Sequence, residues 1–249
     1  MNLRKTAIIG CGNVGATTAY TLMQSGLFSE MVLIDVDTKR ARGEAEDIAH
    51  GLPFHSPMTI YQGDYGDIAD AALIIITAGA SQRPGESRID LVHRNERIFA
   101  SIIDRITEVR AEGILLVVTN PVDVLTYVTL VRSRFPANRV IGSGTVLDTA
   151  RLKQLVGERL GVDSRNVHTF IIGEHGDSEV AVLSSANVSG VDLSLFCREC
   201  CEECDPTGFS QLFDEVRDAA YRIIDAKGAT YYAIAEAVRR IAEAIVRDE

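Results

Sequence analysis

The sequence has no extended basic run, no apolar segment long enough to cross a bilayer, no internal repeat and no low-complexity tract. Aspartate and glutamate outnumber lysine and arginine by 35 to 25, a net charge of -10. A nucleic-acid surface, which needs a basic patch, is therefore not expected. Apolar runs such as Leu73-Ile74-Ile75-Ile76 and Ile114-Leu115-Leu116-Val117-Val118 fall far short of the roughly 20 residues a spanning helix requires. They read as buried strands. Met1-Asn2-Leu3-Arg4-Lys5 leads at once into Thr6-Ala7-Ile8-Ile9-Gly10, leaving no room for an apolar signal segment. A cytoplasmic chain is expected, with its five cysteines reduced. With 249 residues, 46% of them hydrophobic, the chain can bury one large core or two smaller ones.

Thr6 to Ile9 reads as a strand, Gly10-Cys11-Gly12-Asn13-Val14-Gly15 as a turn and Ala16 to Met23 as a helix. G-x-G-x-x-G alone is a weak signal. Here a second strand, Met31 to Ile34, ends in Asp35, twenty residues beyond Gly15, which is the context of a dinucleotide site. Gly10 makes the tight turn, Gly12 admits a pyrophosphate against the backbone, and Gly15 lets helix and strand pack closely. Asp35 is expected to accept hydrogen bonds from the adenosine ribose. A carboxylate there repels a 2′-phosphate, so the expected cofactor is NAD rather than NADP. The plainer alternative is a Gly-rich turn without a ligand, which the position of Asp35 argues against.

Lys39 to His50 reads as a helix, and Met58 to Gln62, Leu73 to Thr77, Leu115 to Thr119 and Val140-Ile141 read as further strands. Strands alternating with helices predict a parallel, doubly wound sheet, here over residues 1–142, followed by a mixed α+β domain over 143–249. The stretch from Ala78-Gly79 to Arg88 leaves the carboxyl end of a strand, where ligands bind in such sheets, and could close over a site and carry arginine into it. A solvated surface loop is the plainer reading of that segment.

A helix is expected from Leu147 to Leu160, with Asp148 and Arg151 on one face. Taken locally, a surface ion pair explains these two better than a site does. Phe170-Ile171-Ile172-Gly173-Glu174-His175-Gly176-Asp177-Ser178 sets an imidazole between two glycines after an apolar run. Histidine normally titrates near neutral pH, so His175 is read as moving a proton, against the alternative of a histidine hydrogen-bonded in a loop. Val180 to Val188 reads as a strand, and Phe209 to Ala226 and Thr230 to Val246 as helices. Four cysteines at 197, 200, 201 and 204 have the spacing of one helix face. That reading is preferred to a metal site, whose cysteine pairs are usually separated by a loop, and no metal is expected.

Taken together, Gly10 to Gly15 with Asp35, Gly85-Glu86-Ser87-Arg88, Thr119-Asn120-Pro121-Val122-Asp123, Asp148-Thr149-Ala150-Arg151 and Gly173-Glu174-His175-Gly176-Asp177 resemble the L-lactate and malate dehydrogenase family over essentially the whole chain. The resemblance implies that His175 is proton donor and acceptor and Asp148 its orienting carboxylate. Arg151 would clamp the substrate carboxylate, Arg88 would polarise the carbonyl, and Asn120 would sit beside nicotinamide and substrate. Gly10, Gly12, Asn13, Val14, Gly15, Asp35, Ala78, Gly79, Thr119 and Asn120 are the expected cofactor-binding residues. Gln82 and Thr230 resemble the lactate-type choice, since malate enzymes carry arginine at the place of Gln82 to meet a second carboxylate.

The resemblance therefore implies hydride transfer between NADH and pyruvate, with malate chemistry as the alternative, and a non-catalytic NAD-binding fragment as a third reading. It implies a homo-oligomer, a dimer or tetramer. His168 and Lys153 stand where bisphosphate-activated bacterial members carry histidine and arginine, so fructose 1,6-bisphosphate is a candidate activator. Lysine keeps the charge there but loses the two-pronged planar donor. Two features depart from the family pattern: the chain stops at Glu249 where the family continues, and the cysteine cluster has no counterpart.

Overall fold

The computed structural model describes residues 1–80, 88–200 and 208–249. Two compact units form, one from 1–143 together with 231–249 and one from 144–230.

The first unit is built from β1 (Asn2–Ile9), α1 (Asn13–Ser25), β2 (Glu30–Ile34), α2 (Thr38–His50), β3 (Thr59–Gln62), β4 (Ala71–Ile76), α3 (Arg88–Glu108), β5 (Ile114–Val117), α4 (Val122–Ser133) and β6 (Val140–Gly142). Its strands form one sheet in the order β3-β2-β1-β4-β5-β6, every pair parallel. This is the doubly wound sheet expected from the sequence, and its strand order reverses between β1 and β4, where such sheets bind ligands. Both faces are covered, which is why the strands are apolar throughout rather than alternating. Ile8, Leu33, Leu73 and Ile75 pack on one face with Leu22 and Met23 of α1 and Ala41 and Ala45 of α2. Ala7, Ile9, Val32, Ile74 and Ile76 pack on the other with Phe99, Ile103 and Ile106 of α3 and Leu125 of α4. Each such side chain contributes about 1.5–3 kcal/mol over leaving it in water.

The second unit contains α5 (Val146–Leu160), β7 (Val167–His168), β8 (Ile171–Ile172), β9 (Val180–Ala181), β10 (Asn187–Val188), β11 (Val191–Asp192), α6 (Leu193–Cys200) and α7 (Phe209–Lys227). Leu152, Val156 and Leu160 of α5 meet Leu212 and Val216 of α7, with Val167, Val188 and Cys197, in a separate core. The single strand expected from Val180 to Val188 is broken in two. Its start pairs with β8 and its end with β7 and β11, and a helical turn at Leu183–Ser185 carries the chain between the two sheets. The expectation of reduced thiols holds at Cys11, which is free. It fails at Cys197, which is disulfide-bonded; a thiol in a run of four cysteines has partners near it in the sequence. Cys201 and Cys204, like the side chain of Cys200, lie outside the described residues.

The last helix, α8 (Tyr232–Arg247), belongs to the first unit, although the sequence reading grouped it with the second. Its Val238 and Ala242 enter the core beside Leu22 and Met23 of α1. No described helix is long and apolar enough to cross a membrane.

Candidate active site

In the first unit the three glycines of the turn separate into two roles. Gly10 has φ +102°, a conformation other residues rarely adopt, and a Cβ there would overlap the backbone of Ala78. A Cβ on Gly15 would overlap the carbonyl oxygen of Gly10. Gly12 differs: a Cβ added to it meets nothing within 4 Å. It faces a cleft of about 670 Å³, lined also by Gly10, Asp35, Thr77, Ala78 and Gly79. That volume lies in the range of small-molecule sites. No side chain caps the first turn of α1, so its backbone N–H groups remain as donors for an anion.

The walls of this cleft are held by short polar contacts. Thr77 Oγ1 donates to the carbonyl of Gly10 at 2.7 Å, and Thr119 Oγ1 to that of Ala78 at 2.9 Å. Asp35, at the end of β2, accepts from the backbone N–H of Cys11 at 2.6 Å and of Asp37 at 2.9 Å. An ionised carboxylate has about four acceptor sites, so capacity remains for ribose hydroxyls. The sequence reading missed Asn95. Its buried side chain accepts from Ala80 N at 2.8 Å and donates to the carbonyl of Asn120 at 3.2 Å, tying the loops after β4 and β5 together. An asparagine within the otherwise amphipathic α3 was the only available signal. Gly79 is also constrained, since a Cβ would overlap Thr119. Open glycine, free donors and a fixed acceptor together fit a dinucleotide. Asn13 and Val14 open α1, and Asn120 is exposed after β5.

In the second unit, α5 and the loop after β8 come together. Thr145 Oγ1 donates to the carbonyl of Ile171 at 2.6 Å and Thr149 Oγ1 accepts from Ile171 N at 2.9 Å, so β8 is pinned to α5 by both its backbone groups. Gly173 and Gly176, at φ +94° and +115°, then turn the loop so that His175 points back at the helix. His175 Nδ1 lies 2.6 Å from Asp148 Oδ2, and Arg151 Nη1 donates to Asp148 Oδ1 at 2.9 Å. Asp148 is only 2% exposed and Arg151 13%, so the local reading of a solvent-exposed ion pair is overturned. The imidazole of His175 takes one oxygen of the buried Asp148 and the guanidinium of Arg151 the other.

The hydrogen bond that His175 donates to Asp148 raises the pKa of the imidazole above its ordinary value, against the opposing effect of burial. Burial pushes Asp148 up, but the hydrogen bond and charge of His175, with Arg151 beside it, hold it below the usual carboxylate value. The arrangement is a buried carboxylate orienting an imidazole, with a guanidinium on its other oxygen. A second residue missed from sequence, Glu179, lies under the same imidazole and is 4% exposed.

The remaining expected residues are dispersed or outside the description. Gln82 lies outside the described residues, and Arg88 opens α3 with its side chain outside them. Thr230 is half-buried just before α8; Lys153 is half-buried on α5, and His168 is exposed on β7.

The sequence matches the lactate/malate dehydrogenase NAD binding domain over residues 4–142 and the alpha/beta C-terminal domain of the same family over 145–249. It is 57% identical to an L-lactate dehydrogenase of Acetivibrio thermocellus, over 99% of this chain and 78% of that protein. It is 53% identical to one of Thermoanaerobacter pseudethanolicus, over 99% and 79% respectively. Among solved structures, a lactate dehydrogenase from a Medee basin deep-sea metagenome library superposes with a TM-score of 0.97 at 45% identity, over 100% of this chain and 79% of that one. The minor L-lactate dehydrogenase of Enterococcus mundtii gives 0.94 at 42%, over 98% and 77%. The chain belongs to the lactate/malate dehydrogenase family.

Proposed function

We propose that the chain is an NAD-dependent L-lactate dehydrogenase, interconverting pyruvate and L-lactate. The observation that carries this is the buried Asp148 held between His175 and Arg151, in a chain that is 57% identical to a relative of that name. Bound NADH supplies the hydride; the chain's own residues supply the proton, the orientation and the charge balance.

His175 enters the reduction protonated. Its Nδ1–H is spent on Asp148, which fixes the ring and leaves Nε2–H to donate to the carbonyl oxygen of pyruvate. Asp148 stabilises the imidazolium beforehand and selects the correct tautomer afterwards. Arg151 uses one N–H on Asp148, and its remaining donors pair with the substrate carboxylate. Fixing that carboxylate sets the distance from the carbonyl to the reacting groups. Arg88 would polarise the carbonyl, Asn120 would contact substrate and nicotinamide, and Gln82 and Thr230 would face the methyl end. A neutral Gln82 cannot balance the second carboxylate of oxaloacetate, so pyruvate is the favoured substrate.

The same reading extends to a cytoplasmic homo-oligomer in which Lys153 and His168 bind the phosphates of fructose 1,6-bisphosphate; activation would appear as a leftward shift of the pyruvate saturation curve. The deciding experiment follows NADH consumption by the purified chain with pyruvate and with oxaloacetate. Faster turnover of pyruvate is expected. Preference for oxaloacetate would move the assignment to malate, and NADH binding without consumption of either would leave a cofactor-binding chain alone.

A further inference from the structure

Glu179 has no part in the chemistry just described, yet its side chain is 1% exposed and its Oε2 lies 3.8 Å from His175 Nδ1. The same oxygen accepts from Gly176 N at 3.3 Å, and one carboxylate oxygen each of Glu179 and Asp148 lie within 4.8 Å of each other and of an imidazole nitrogen of His175. Two buried carboxyl groups that close disfavour ionising together, which raises the proton affinity of one of them. Asp148 has a guanidinium on one oxygen and an imidazole on the other. Glu179 has one backbone N–H and the same imidazole nitrogen at the longer distance of 3.8 Å. The proton therefore belongs on Glu179.

We propose that Glu179 is a positioning residue for proton transfer: its protonated carboxyl donates a hydrogen bond to Asp148 and thereby sets how much negative charge His175 faces. The inference rests on His175 as the proton donor, and it concerns what controls that donor. Burial and the neighbouring Asp148 charge push Glu179 up to about 7, so its ionisation falls in the range where the enzyme would work. The other charged groups of this unit facing the imidazole are Asp148 and Arg151, both from α5. While Glu179 is neutral, Asp148 accepts three hydrogen bonds and its charge is spread over them. Once Glu179 ionises, a second anion lies under the ring with only Arg151 to offset it. His175 then holds its proton more firmly, and the pair titrates as a coupled unit. Proton donation to substrate thus persists to higher pH than Asp148 alone would allow.

The test is the His175 titration followed by NMR on 13C-labelled histidine in the full chain, with the resonance assigned by its loss in His175→Asn. In Glu179→Gln the amide still donates to Asp148 but cannot ionise. The His175 midpoint should drop by about one pH unit, making pyruvate kcat/KM about tenfold lower on the alkaline limb. Glu179→Asp keeps a carboxyl and should recover at least half of that shift. A purely structural Glu179 would change melting temperature or rate and leave the midpoint in place; an unchanged midpoint in folded Glu179→Gln overturns the proposal. Should that variant not fold, 13C-carboxyl labelling of the unmodified protein decides the matter. One glutamate resonance titrating near neutrality is expected, and its absence overturns the proposal equally. The midpoints need no turnover, so a chain inactive on pyruvate would refute the lactate reading while leaving this comparison intact.

Discussion

The cleft of the first unit and the histidine cluster of the second are built by opposite means. The cleft is backbone: glycines whose missing side chains make room, N–H groups at the start of α1, and carbonyls tied by Thr77 and Thr119. The cluster is side chain: Asp148 and His175 lie 27 positions apart and meet at 2.6 Å because Thr145 and Thr149 pin β8 to their helix. Backbone sites depend on local spacing and hardly titrate. Side-chain sites depend on distant elements meeting, and their charges depend on one another.

The largest expected effect separates the two directly. His175→Asn removes the proton donor while leaving every wall of the cleft in place. Turnover of pyruvate should fall about a thousandfold or more, the scale of general acid catalysis. NADH affinity, measured by fluorescence titration, should change less than about twofold, since the substituted side chain is not part of the cleft. A parallel loss of NADH binding would mean the two regions do not divide the work in this way.

A second pair of substitutions breaks the cleft into its two functions. Gly15→Ala drives a Cβ into the carbonyl of Gly10. Such overpacking costs about 1–3 kcal/mol, which in a chain of this size lowers the melting temperature by roughly 3–10 °C. Gly12→Ala points into open space at a φ of -71°, which alanine adopts freely, so melting should be almost unchanged. NADH affinity should nonetheless fall about tenfold or more, because the methyl occupies the place of the pyrophosphate. Equal melting losses in both variants would argue that Gly12 is there for packing as well.

This contrast also explains what could be read from the sequence. The sheet was legible because both its faces are buried, so each strand is apolar along its length, and the turn was legible because its chemistry lies within six residues. Asp148 and Arg151 were not legible from their spacing and entered only through the family resemblance, since an i,i+3 pair reads the same whether water or an imidazole covers it. Glu179 was hidden by an inverted alternation: the glutamate is buried while the adjacent Val180 is 56% exposed, opposite to what hydrophobic patterning suggests. The return of α8 to the first unit was equally hidden, because an amphipathic helix declares that one face is covered and not what covers it. Asn95 shows the same limit for polar groups, whose partners at Ala80 and Asn120 are loop backbone rather than any sequence neighbour.

The smallest effect expected is a dependence on pH, and it sharpens the comparison most finely because one region should respond and the other should not. The hydrogen bond donated to Asp148 raises the His175 pKa above the ordinary value of 6.5. Reduction of pyruvate needs the imidazolium, so its kcat/KM should be flat at low pH and fall about tenfold per pH unit above that raised pKa. Oxidation of lactate needs the neutral ring, so its kcat/KM should fall by the same factor per unit below it. The two limbs therefore run in opposite directions through one midpoint, and Asp148→Asn should move that midpoint down by removing the anion that raises it. NADH affinity over the same range should vary less than about twofold, since the α1 backbone donors that hold its phosphates carry no titratable proton there. Limbs of the same sign in both directions would remove His175 from the proton-transfer step. A midpoint unmoved in Asp148→Asn would instead leave His175 in place and take from Asp148 its control over the ring.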